Sequence, residues 1–261
     1  MTQNTTTKAS PPIQANGLDR RAFLRAGGGM VLFGLGGCSA TQLGQPFVQE
    51  TTPSFPVTDA FASGTEVDRS YYASMYAARP EEMFPLPAIP FERINPVYYR
   101  RLVDDPTGER AGMIVVDVAH HFLYLTRGEG KAIRYGVGLG RAGFEWSGRG
   151  VIQYKRAWPR WTPPDEMVAR QPELEPYSSA NGGMDPGLKN PLGARALYIF
   201  QDGRDTLYRI HGSPEWWTIG KSVSSGCVRM LNQDVIDLYS RVPNGAPILV
   251  TRLGEALIAA G

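Results

Sequence analysis

Between Met113 and Thr251 the apolar residues of this chain fall into short runs, rich in β-branched and aromatic side chains and bounded by turn residues. Such runs are too short to supply the apolar stripe of a helix of ordinary length, and they pair as strands instead. Met113–Asp117 and Phe122–Thr126 flank Val118-Ala119-His120-His121; Ala132–Tyr135, Val151–Lys155 and Pro247–Thr251 follow the same pattern. The clearest pair is Ala196–Phe200 and Leu207–Ile210 around Gln201-Asp202-Gly203-Arg204, because Asp-Gly between apolar runs marks a hairpin. His211 closes the second strand; alternation places it on one face with Leu207 and Arg209, with Tyr208 and Ile210 on the other. One helix fits after residue 231, with Asn232 as its cap and Val235, Leu238 and Tyr239 as its apolar stripe. The expected class is therefore mostly β, with one or two short helices and a long irregular loop over Asp165–Lys189.

The front of the chain reads differently. Asp19-Arg20-Arg21-Ala22-Phe23-Leu24-Arg25 precedes a glycine-rich apolar run to Gly37, and the paired arginines resemble a twin-arginine export signal. The run is too short and too broken by glycine to span a bilayer as a helix, so residues 1–40 are expected to be a leader. Leu35-Gly36-Gly37-Cys38 resembles a lipobox, which would lipidate Cys38 and anchor the protein to a membrane; cleavage after Ala40 is the alternative. Residues 41–96 are rich in Pro, Ser and Thr and read as a tether that lies against the domain, with a short helix near Val67–Ala78, leaving 97–254 as the folded domain.

Several functions are disfavoured by composition. Lys8, Arg20, Arg21 and Arg25 against Asp19 give the first 37 residues +3, so the rest carries −1 of the total +2, with no basic surface for nucleic acid. Gly138, Gly140 and Gly143 match a dinucleotide fingerprint, but a strand-like run rather than a helix follows them; they read as bends. Three histidines, of which His120 and His121 sit at a turn, are too few for a zinc site. No metal or cofactor is expected.

The remaining chemistry lies in Ser224-Ser225-Gly226-Cys227-Val228-Arg229-Met230, read with His211-Gly212. With Cys38 assigned to the leader, Cys227 is the domain's one thiol, flanked by small residues that let a substrate backbone approach. An ordinary thiol is only a few per cent ionised at neutral pH, so it needs a base, and His211 is the histidine placed for that. An oxyanion would be met by backbone N–H groups at Gly226 and Cys227. Arg229 either binds a substrate carboxylate or holds the loop through carbonyls. Ser224 braces the loop, and of Trp216 and Trp217 one is expected to touch substrate, Trp217 being preferred.

His211-Gly212-Ser213, then Ser224-Ser225-Gly226-Cys227-Val228-Arg229-Met230-Leu231-Asn232, with Asn190-Pro191-Leu192-Gly193 and Trp161-Thr162-Pro163 upstream, resembles the YkuD-type L,D-transpeptidases in their periplasmic, ErfK/YbiS-like branch. The resemblance covers about Ala111 to Arg252. It implies a β-sandwich-like domain and sensitivity to carbapenems. It also implies acyl transfer between peptidoglycan stem peptides: Cys227 attacks the L-centre carbonyl of a diamino acid beside a terminal D-Ala, which leaves. An amine then resolves the thioester, either on a diaminopimelate, giving a 3→3 crosslink, or on a lysine of an outer-membrane protein. In that family the backbone carbonyl after the histidine, here that of Gly212, orients the imidazole. Many members have His where this chain has Ser225, so substrate contacts by that histidine do not carry over. Water as acceptor would make an L,D-carboxypeptidase or amidase; a degenerate site would leave a wall-binding lipoprotein.

Overall fold

A computed structural model describes residues 69–140, 146–224 and 226–251; the leader with Cys38, the first part of the tether and Ser225 lie outside them. Helix α1 spans Arg69–Met75, and 3-10 turns cover Phe91–Arg93 and Pro96–Tyr98. The strands that follow are β1 (Arg101–Asp104), β2 (Ile114–Asp117), β3 (Phe122–Thr126), β4 (Lys131–Gly136), β5 (Leu139–Gly140) and β6 (Gly148–Ala157). After α2 (Asp165–Arg170) come β7 (Arg195–Gln201), β8 (Arg204–Ser213), β9 (Ser222–Ser224), β10 (Val228–Leu231), α3 (Asn232–Arg241) and β11 (Ala246–Val250).

Nine strands form one sheet in the order β1-β4-β3-β2-β11-β6-β7-β8-β10, and β5 pairs with β9 beside it. The β2–β11 and β8–β10 pairings are parallel. Leu123 and Tyr135, from β3 and β4, share one core with Leu197, Ile210, Met230, Val235 and Leu238 from the opposite end of the sheet and α3. Strands in a sheet lie ~4.8 Å apart, so a flat nine-stranded sheet would hold its ends far apart; this one folds over on itself, as a sandwich does. The ends also meet through the backbone, since Gly138, just after β4, exchanges hydrogen bonds of 2.9 and 2.8 Å with Arg229 of β10.

The hairpin between β7 and β8 turns on Asp202 and Gly203, both at positive φ (50° and 76°), which matches the right-handed twist of the strands it joins. Alternation then fails at Leu207: its φ is 62°, the pairing slips between Tyr198 and Phe200, and Leu207 stands in solvent instead of beside Arg209 and His211. The stretch 165–189 is not wholly irregular. It holds α2, whose first turn carries Asp165 and Glu166 against the helix dipole, and a 3-10 turn at Pro172–Tyr177.

The tether carries structure from Arg69 onward. Tyr72, Tyr76, Ile89, Phe91, Ile94 and Tyr99 form a second apolar cluster that includes Ile219 and Leu231 of the body. Polar contacts fix the same segment: the Tyr76 hydroxyl donates to Asp234 and accepts from the Arg100 N–H, Gln233 donates to the carbonyls of Ala77 and Pro87, and Glu82 accepts from Arg195 and the Trp158 indole. Prolines remove backbone donors and stiffen the path; the side chains between them do the packing.

Asn232 does not cap α3. It lies inside the first turn, and its side chain accepts from the Ala194 N–H at 2.9 Å and donates to the Ser213 carbonyl at 3.3 Å. It therefore ties α3 to the start of β7 and the end of β8, where the histidine sits.

Candidate active site

His211 lies near the end of β8, buried, and pairs in parallel register with Arg229 of β10. Its Nδ1 stands 2.6 Å from the Gly212 carbonyl oxygen. A carbonyl only accepts, so Nδ1 carries the proton and Nε2 is left as the basic nitrogen of the neutral ring. Burial pushes this imidazole down to about 4, partly opposed by the Gly212 and Pro191 carbonyls, with Arg229 and Arg209 adding to the depression. At neutral pH it is an uncharged base.

Gly212 is required by close approach. A Cβ there would lie 2.3 Å from Asn232 Oδ1 and 3.0 Å from Val235 Cγ1. Gly212→Ala is expected to cost about 2–4 kcal/mol in unfolding free energy, from overpacking and a damaged Asn232 bond. Gly128→Ala, with open space at its Cβ, should stay within about 0.5 kcal/mol. Chemical denaturation of both variants checks this; equal midpoints would contradict the packing argument.

Cys227 stands one residue before Val228, whose partner is Ile210, so it is level with Arg209. The thiol accepts a hydrogen bond from the Arg209 backbone N–H, and it is half-buried. Burial pushes it above the ordinary thiol range, while that bond and the charges of Arg209 and Arg229 pull the other way. The resting pair is therefore a neutral thiol, one residue before β10, and a neutral imidazole on the neighbouring strand β8. Gly226 is buried, has φ 126°, a conformation that favours glycine, and a Cβ there would lie 3.0 Å from the Tyr208 ring.

Arg229 is ion-paired to Glu215 in the loop after β8, and its backbone joins Gly138. It thus holds the loop, through a carboxylate that the sequence reading did not single out. Trp217 is 52% exposed, whereas Trp216 lies beneath Arg93 and packs on the tether cluster, so the two tryptophans divide as surface and support. Ser224 ends β9 opposite Gly140. His121 reaches Ser222 Oγ at 3.0 Å, and His120 pairs with Asp117 at 2.8 Å. Arg209 was visible in sequence only as a face-mate of His211; the structure sets it beside the thiol as well.

The family model for the L,D-transpeptidase catalytic domain matches residues 111–250. Among curated proteins, the chain is 32% identical over 148 residues to the probable L,D-transpeptidase YbiS of Escherichia coli, covering 55% of this chain and 45% of that protein. It is 34% identical over 140 residues to the probable L,D-transpeptidase ErfK/SrfK of the same organism, covering 52% and 43%. The chain thus spans under half the length of these relatives. A solved structure from Brucella melitensis, described as a probable carnitine operon oxidoreductase, is 45% identical, covers 59% of this chain and 94% of that one, and superposes with a TM-score of 0.43.

Proposed function

Because residues 111–250 make this chain a member of the L,D-transpeptidase family, we propose that it is an acyltransferase acting on peptidoglycan stem peptides through a thioester on Cys227. The observation that supports this most directly is the neutral, buried imidazole of His211, fixed by the Gly212 carbonyl on the strand paired with the one that Cys227 enters. In this reading His211 Nε2 takes the thiol proton as sulfur attacks the carbonyl beside the terminal D-Ala. The same proton then goes to the departing D-Ala amine. Backbone N–H groups at Gly226 and Cys227 receive the oxyanion, a contribution of ~3 kcal/mol per donor. Trp217 and Ser224 border the donor, Ser225 takes the place of the family's histidine, and Arg229 acts through its loop.

The rest of the reading follows from the leader. Residues 1–40 export the protein by the twin-arginine route, residues 97–254 carry the catalytic domain, and lipidated Cys38 anchors it at the outer membrane, facing stem peptides and protein lysines. A tetrapeptide donor offered with and without an amine acceptor tests the reaction. Release of D-Ala together with a crosslinked product is expected. Tripeptide alone, unchanged by added amine, would make it a carboxypeptidase, and no D-Ala release would leave a wall-binding protein.

A further inference from the structure

Residues four apart in an extended strand are separated by ~13 Å. Yet Arg209 grips Asp205 with Nη1 and Nη2 at 2.7 and 2.8 Å. β8 bulges between them. Leu207 adopts φ 62°, the Asp205 carboxylate accepts the Leu207 N–H at 2.8 Å, and Thr206 Oγ1 accepts from the Tyr208 N–H while donating to the Ile199 carbonyl. A leucine meets strain in this conformation, and its side chain, 72% exposed, gains no packing in return. Bulges beside a site re-aim side chains, and this one has two effects at the nucleophile loop. It lays the Tyr208 ring against Gly226, and it sets Arg209 on the rung of Cys227 and the face of His211.

The guanidinium is also backed from behind. It lies 4.5 Å over the Tyr198 ring, which stacks on Tyr154 at 4.3 Å and 19°, and its Nη1 also donates to the Tyr208 carbonyl at 2.9 Å. Asp205, on the solvent side, is the more exposed member of the pair, at 32% against 14%. A planar fork gripping a carboxylate beside a thiol is a receptor geometry, and the carboxylate in it belongs to a surface residue that also accepts the Leu207 N–H.

We propose that Arg209 is a specificity-determining residue that receives a carboxylate of the acyl donor, with Asp205 occupying the fork until the donor displaces it. This rests on the transpeptidase reading. Two donor groups have the right chemistry: the α-carboxylate of the terminal residue and the carboxylate at the far centre of the diamino acid.

The test compares three tetrapeptide donors, one with both carboxylates unmodified and two each amidated at one of them, on wild type and on Arg209→Gln, Arg209→Lys and Asp205→Asn. With wild type, one amide is expected to lower kcat/KM on the order of 10- to 100-fold, which identifies the group received. Arg209→Gln should lose the same factor on the unmodified donor and no longer distinguish it from that amide. Asp205→Asn should lower KM for the unmodified donor. Alkylation of Cys227 by iodoacetamide, which is uncharged, should fall in Arg209→Gln only as far as losing the Arg209 charge raises the thiol, and by less than donor turnover falls. The proposal is overturned if wild type treats all three donors alike, if Arg209→Gln keeps the discrimination, or if it slows alkylation as much as donor turnover. Should Arg209→Gln fail to fold, Arg209→Lys, which keeps charge without the fork, carries the same expectation, and the wild-type comparison stands without any variant. Failure of wild type to release the terminal residue from any donor is a separate result that overturns both readings.

Discussion

His211→Ala is expected to slow acylation of Cys227 on the order of 10²- to 10⁴-fold while leaving the chain folded. The thiol is held above its ordinary range by burial, so little thiolate exists before substrate arrives, and on the proposed reading removing His211 removes the route by which sulfur becomes a nucleophile. The same residue sets the acid limit. Burial brings His211 down to about 4 from an ordinary 6.5, so wild-type acylation should persist well below pH 6.5 and fail only as the ring itself takes a proton.

Stability follows the same sign. Below pH 6.5 the unfolded chain binds the proton first, so folding stability falls as pH drops from 6.5 to about 4 and levels off below it. The loss is about 3 kcal/mol for this one group and should be absent in His211→Gln. Release of D-Ala across pH, with denaturation midpoints on the same samples, checks both. An acid limb near pH 6.5, or an alanine variant as fast as wild type, would contradict the assignment.

Removal of residues 69–99 is expected to abolish cooperative folding of the remainder. The deletion takes away Tyr72, Tyr76, Ile89, Phe91, Ile94 and Tyr99, and strips Ile219 and Leu231 of their cover. Six large side chains at ~1.5–3 kcal/mol each compare with a whole-domain stability of ~5–15 kcal/mol. Buried Asp234 also loses the Tyr76 phenol. Thermal unfolding of the truncated chain should show no sharp transition; a midpoint like that of the full chain would mean that the segment is a passive tether.

That segment marks where the sequence stopped being readable. Prolines between Pro85 and Pro90 report a path without helices or ladder donors, and they say nothing about whether the tyrosines beside them are buried. The Asp202-Gly203 turn was legible because its backbone needs positive φ, which that pair supplies. The identical demand at Leu207 was not, since leucine carries no mark of it, and with it went the true placing of Arg209. Asn232 failed differently: a residue that can cap a helix can equally bond across to a neighbouring strand, and only the close approach of Gly212 decides between them. The thiol and imidazole were singled out by the paired motifs around His211 and Cys227, since one thiol near one histidine is a weak signal alone, and the structure sets them on neighbouring segments of the sheet. Glu215, the partner of Arg229, gave no such sign.

The account stands most directly on Cys227 as the acyl carrier. Incubating the protein with a carbapenem and weighing it intact should show one covalent adduct on wild type, mapped to the peptide bearing Cys227, and none on Cys227→Ala. No adduct on wild type, or one that survives the substitution, would contradict it.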